Sequence, residues 1–241
     1  MQITAAMVKE LRERTGSGMM ECKKALQEAD GNIDAAIENM RKSGLAKADK
    51  KAGRIAAEGR IAIKISDDGK TAVIAEVNCE TDFVSGGDDF LGFVNEVAAV
   101  ALENKPESIE ALVELAIDDA QSIEEKRKEM VSKIGENIQV RRFEIMSADA
   151  GAFGSYLHGT RIGVLLGMEN GNDALIKDVA MHIAASKPTC VTEEQVPAEL
   201  LAKEREILIA QAQDSGKPQD IIEKMVDGRI RKYLAEITLV G

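Results

Sequence analysis

Aromatic side chains are scarce: tryptophan is absent, tyrosine occurs twice and phenylalanine five times in 241 residues. A core of this chain must therefore be built from Ala, Val, Ile, Leu and Met, a composition that leans helical. Histidine occurs only as His158 and His182, and no HExxH, GxSxG or Cys/His arrangement is present. The common hydrolase constellations are thereby excluded, and each histidine reads as structural or superficial. The three cysteines, Cys22, Cys79 and Cys190, are odd in number and lack metal-ligand spacing. They read as buried or half-buried free thiols of a reducing cytoplasm. The longest apolar stretch, IGVLLGM at 162–168, is far too short to span a bilayer. The opening MQITAAMVKE has no basic segment before an apolar run, so no secretory signal is expected. Lys and Arg (31) fall short of Asp and Glu (42), a net charge of −11. That balance argues against DNA or RNA as the main ligand, although residues 41–54 form a local basic stretch.

What is present suffices for a core and two or three structural units. Three short helices open the chain. Thr4 caps the first, with Met7, Val8 and Leu11 on one side, and TGSG at 15–18 breaks it. Met19, Cys22, Leu26 and Ala29 form one stripe of the second. Asn32 caps a third that buries Ile33, Ala36, Ile37 and Met40. The basic, small-residue run RKSGLAKADKKAGR that follows reads as a linker compatible with helix.

The period then changes to two. Ile61, Ile63 and Ile65 alternate with Arg60, Ala62 and Lys64, DDG at 67–69 turns the chain, and Val73, Ala75 and Val77 form one face of the returning strand. After the loop CETDFVSGGDD, a helix presents Phe90, Phe93, Val94, Val97 and Ala101 to a core. Two helical stretches fill 108–135, and 138–146 reads as a strand with a bulge at Arg141-Arg142, where the alternation slips. A loose internal repeat links GKTAVIAEV at 69–77 with GTRIGVLLG at 159–167, and VNEVAAVA at 94–101 with IKDVAMHIA at 176–184. Helical periodicity returns over 197–213 and 218–234 around a break at SGKP, 215–218, which predicts an antiparallel helical hairpin. ITLV at 237–240 reads as a short strand returning to the second repeat. The fold class is α+β with antiparallel sheets.

Three features could carry chemistry or contact. GKT at 69–71 lacks the glycine a phosphate loop needs five residues earlier, where Lys64 stands, and it sits in a hairpin turn. EVNCETDFV at 76–84 leaves a strand and sets Phe83 beside Asp82 in a polar, glycine-rich turn. A lone loop phenylalanine ordinarily folds back onto the core. Against this, aromatics are scarce here, and the matching loop MENGN at 168–172 has none. An apolar anchor beside a carboxylate is also what an interface wedge requires. Met20, off the apolar stripe and on a face with Lys23 and Lys24, suits an adaptable contact surface, or is one isolated surface methionine.

LRERTGSGMMECKKAL at 11–26, EVNCETDFV at 76–84, GSYLHGTRIGVLL at 154–166 and HIAASKP at 182–188 resemble, in order, four stretches of the elongation factor Ts family. The resemblance covers essentially the whole chain. It implies a UBA-like three-helix domain at 1–45, a basic linker at 46–57, an N subdomain at 58–140, a C subdomain at 141–190 and 235–241, and a coiled-coil hairpin at 191–234. It also implies a cytoplasmic guanine-nucleotide exchange factor, not a bond-making enzyme, for elongation factor Tu in its GDP-bound and nucleotide-free forms. No cofactor, metal, nucleotide of its own, nucleic acid or membrane is implied. Asp82 and Phe83 match the family's intruding pair, and the flanking Thr81 and Val84 are expected to bind the partner with them. Arg12, Met19, Met20 and Lys23 match N-terminal contacts, and Ile162, Gly163 and His182 match contacts of the C subdomain. Gly86 stands where the family commonly has a basic residue, and the family continues past 237–240 with a further C-terminal module, whereas this sequence stops at Gly241. Two other classes of function compete: a passive, chaperone-like binding module for the same partner, and a metabolic enzyme, which the poverty of motifs argues against.

Overall fold

A computed structural model describes residues 3–119, 121–213 and 218–240, with only the backbone at 45–47. The chain divides between Lys177 and Asp178 into two compact units.

The first unit opens with α1 (Ala5–Thr15), α2 (Met19–Glu28) and α3 (Ile33–Lys51). Thr4 accepts from the Met7 amide at the start of α1, and Gly16, at φ 65°, ends it in the left-handed conformation. Asn32 caps α3 through the Ala35 amide. Val8, Leu11, Cys22, Ala25, Leu26 and Ala36 form a small core, with Ile37 and Met40 packed against it. Met19 is not part of it. As the first residue of α2 it stands 60% exposed, and the buried stripe begins one turn later at Cys22.

The run expected as a linker is helix: α3 continues to Lys51 without interruption. It lacks proline and consists largely of good helix formers. Tertiary contacts hold it. Ala48 is buried in the main core, Lys128 of α7 (Ile123–Ile134) pairs with Asp49, and the Lys51 ammonium donates to the Gly135 carbonyl. A Cβ on Gly44 would lie 3.0 Å from Ser132 Oγ, so small residues let α3 and α7 approach closely. The boundary expected at 45/46 thus falls inside one helix.

β1 (Glu58–Ile65), β2 (Thr71–Cys79) and β3 (Gln139–Ser147) form an antiparallel sheet in that order. Between β2 and β3 run the one-turn α4 (Asp82–Ser85), then α5 (Asp88–Asn104), α6 (Ile109–Glu114) and α7. Val73, Ala75 and Val77, joined by Ala62, share the main core with Phe90, Phe93, Val94, Val97, Ala98 and Ala101 of α5. The bulge is present. Glu76 pairs with Arg142 and Val77 with Val140, leaving Arg141 as the extra residue. On both sides of the bulge β3 pairs with β2, so the expected boundary at 140/141 cuts a strand of this sheet.

The other face of the sheet is covered by an antiparallel hairpin, β4 (Ala152–His158) and β5 (Ile162–Met168). Ile176 of the next helix, α8 (Asp173–Ser186), presses on β4, where a Cβ on Gly154 would come 2.0 Å from its Cγ2. The internal repeat is visible as hairpin followed by helix, with Val94 and Ala98 of α5 matched by the buried Ile176 and Ala180 of α8.

In the second unit α9 (Ala198–Gln213) and α10 (Gln219–Ile237) pack along a seam of Leu208, Ala212, Ile222, Val226 and Ile230. Arg205 and Asp227 pair across it. The break expected at 215–218 lies, but for Pro218, outside the described residues. Ile237 is not strand but the last residue of α10. The Thr238 hydroxyl donates back to the Leu234 carbonyl and closes the helix. Extended pairing starts only there, and its partners are residues 189–191. The fold is α+β with antiparallel sheets, as expected.

Candidate functional site

β2 runs into the interior and ends on Cys79, which is fully buried. Its thiol donates to the Thr81 carbonyl, and burial, with the nearby Glu136 carboxylate, pushes its pKa up to about 11. The chain then emerges at Thr81, whose side chain caps the single turn of α4 by accepting from the Val84 amide. Four residues spread around one helical turn point in different directions, so some side chains face the core and others face out. Val84 packs against the main core and Ser85 is buried, its carbonyl accepting from Arg60 Nε at 2.7 Å. Asp82 and Phe83 are left facing outward, and Phe83 is 88% exposed. The loop phenylalanine does not fold back.

The turn is braced from residues far along the chain. The Glu136 carboxylate accepts from the amides of Glu80 (3.2 Å) and Thr81 (3.0 Å) and from the Thr81 hydroxyl (2.7 Å). Glu80 reciprocates by accepting from the Asn137 amide at 2.6 Å, and it pairs with Arg54 at 2.7 Å. The Asn137 side chain donates to the Ala52 and Arg54 carbonyls. Glu80 belongs to the EVNCETDFV stretch, but Arg54, Arg60, Glu136 and Asn137 are not marked by the sequence as parts of the site. They lie in two other stretches, and nothing local to them indicates a contact with the turn.

The second group of expected contacts is also on the surface. Met20 is 76% exposed, and Arg12, Met19 and Lys23 are exposed with it on α1 and α2. The third group differs. Ile162 is half-buried on β5, and Gly163 turns its Cα inward, where a Cβ would meet Ile61, Ile74 and Leu157. Gly163 thus has a packing role that the resemblance did not imply. His182 is exposed and belongs to the second compact unit. His158 is exposed too, with Nδ1 3.0 Å from the Tyr156 hydroxyl.

Among the described residues no cluster of His, Cys, Asp or Glu could hold a metal ion, and no helix is long and apolar enough to cross a membrane. Gly69–Thr71 lies at the β1–β2 turn, and Thr71 opens a strand, so no helix N-terminus follows to receive a phosphate. The arrangement offers one outstanding chemical feature: an exposed aromatic side chain, next to a carboxylate, on a turn whose backbone is hydrogen-bonded in place. Leaving a phenylalanine so exposed forgoes about 2–3 kcal/mol of burial that contact with another molecule would recover.

A family model described as Elongation factor TS matches residues 80–241. An elongation factor Ts of Methylococcus capsulatus is 63% identical over 241 residues, covering 100% of this chain and 82% of the relative. One from Thioalkalivibrio sulfidiphilus is 62% identical with the same coverage. One from Legionella pneumophila strain Paris is 56% identical over 99% of this chain and 82% of its own length.

Proposed function

The chain belongs to the elongation factor Ts family, and on that premise we propose that it is a guanine-nucleotide exchange factor for elongation factor Tu, acting in the cytoplasm by protein contact and without bond-making chemistry. The observation that carries this reading is Phe83, 88% exposed on a braced turn beside Asp82. Phe83 inserts between elements of the partner's nucleotide domain, and Asp82 directs it. Thr81 and Val84 hold the pair from behind. Arg12, Met19, Met20 and Lys23 supply a second contact, and Ile162 in the first unit and His182 in the second each supply a further one.

The mechanism is linkage. A factor that binds the nucleotide-free partner more tightly than the GDP-bound partner must weaken GDP binding by the same ratio. A thousandfold weakening requires about 4 kcal/mol of differential contact. Burying one phenylalanine yields about 2–3 kcal/mol, which is the ceiling of Phe83's share, reached when it inserts only in the nucleotide-free complex. The remainder falls to Asp82 and the outlying contacts. The proposed roles of α9 and α10 as a coiled-coil hairpin and of α1–α3 as a UBA-like domain belong to the same reading: both extend the grip beyond the wedge.

The test is release of a fluorescent GDP analogue from elongation factor Tu with substoichiometric amounts of this chain. Strong acceleration supports exchange activity. Stoichiometric binding without acceleration would replace it with a passive holding module.

A further inference from the structure

We infer that Glu136 is a positioning residue for Phe83: it fixes the direction in which the turn presents the wedge. The inference rests on the exchange reading and adds a residue to it. Glu136 lies 55 residues from Thr81, in the connection between α7 and β3, and is half-buried. One carboxylate oxygen takes the Glu80 and Thr81 amides and the other takes the Thr81 hydroxyl. These are the last backbone donors before α4 and the side chain that caps it, so the carboxylate sets both the position of the cap and the orientation of the turn.

The exchange of partners is reciprocal. Glu80 returns its carboxylate to the Asn137 amide and to Arg54, with only 14% of its own side chain exposed. The Glu136 carboxylate thus holds the Glu80 backbone, and the Glu80 carboxylate holds that of Asn137, the residue after Glu136, across the base of the turn. Two side-chain oxygens held at fixed reach from three donors make directional hydrogen bonds that orient the turn. A wedge needs such bracing. An exposed phenylalanine on a loose turn would lose conformational freedom on insertion and so surrender part of the energy its burial yields.

Length, not charge, is what this geometry demands. Glu136→Gln keeps the reach. Its amide oxygen accepts the two backbone N–H groups, and its NH2 donates to the Thr81 hydroxyl, which has lone pairs to accept with. Glu136→Asp keeps the charge but draws the carboxylate back by one methylene, and Glu136→Ala removes it.

The experiment uses these three variants of the full chain in two measurements: amide hydrogen exchange of the isolated protein, and GDP-analogue release from elongation factor Tu. In Glu136→Ala and Glu136→Asp the amides of residues 80–85 should exchange roughly tenfold faster while those of α5 keep their protection. Release catalysis should fall by roughly tenfold in the same two variants, and Glu136→Gln should rescue most of both. Equal loss in Glu136→Gln, full activity in Glu136→Ala, or uniform loss of protection across α5 would each overturn the inference. Failure of the wild-type chain to accelerate release overturns the exchange reading, and with it the role given to Glu136 in exchange. The hydrogen-exchange pattern then still reports separately whether Glu136 orders the turn.

Discussion

Gly163 of β5 lies against Ile61 of β1 so closely that a Cβ on the glycine would stand 2.7 Å from Ile61 Cγ2 and 3.2 Å from Ile74 Cδ1. This is where the β4–β5 hairpin meets the three-stranded sheet, and the absent side chain makes the approach possible. Gly163→Ala should destabilise the protein by about 1–3 kcal/mol through overpacking. Urea unfolding checks this. A variant of unchanged stability with weakened partner binding would instead make Gly163 a contact residue alone.

Phe83 and Phe93 differ by ten positions and by almost their whole surface, 88% against 1% exposed. Phe83→Ala should leave stability within about 0.5 kcal/mol of the parent. Phe93→Ala should cost about 3–5 kcal/mol by opening a cavity in the main core. Denaturant titrations of the two variants side by side decide it, and a large loss for Phe83→Ala would return that side chain to the core.

Gly59 sits at φ 155° with Val77 O only 2.3 Å from where its Cβ would be. Neither the backbone angle nor the space admits a side chain. Gly59→Ala should destabilise by about 2 kcal/mol or more, read by thermal or urea unfolding.

Cys79 should be inert to thiol reagents in the native protein, because burial and the Glu136 charge raise its pKa from 9.0 to about 11. Cys190, only half-buried, should label first. The folded protein holds the Cys79 proton more tightly than the unfolded chain. The associated stability is therefore complete below pH 9 and is lost as pH rises toward about 11. Labelling rates with and without denaturant, and unfolding midpoints across that range, test both statements.

Much of the architecture is legible in the chain because it is written locally. The stripe of Phe90, Phe93, Val94 and Val97, the alternation of Val73, Ala75 and Val77, and the slip at Arg141-Arg142 each announce an element within a few residues. What escaped local reading depends on distant partners. Helix α3 runs on to Lys51 because α7 receives it, Met19 is exposed because the packed stripe starts a turn later, and Ile237 stays helical until Thr238 closes the turn. The candidate site divides in the same way. Asp82 and Phe83 were conspicuous as residue types, but whether Phe83 points out or in is decided by Val84, Ser85 and the reach of Glu136 across 55 positions.

The most direct measurement is the rate of GDP-analogue release from elongation factor Tu with catalytic amounts of the parent chain and of Phe83→Ala. The parent should accelerate release strongly, and Phe83→Ala should lose at least roughly tenfold of that acceleration while remaining as stable. Equal acceleration by the two chains would contradict the wedge.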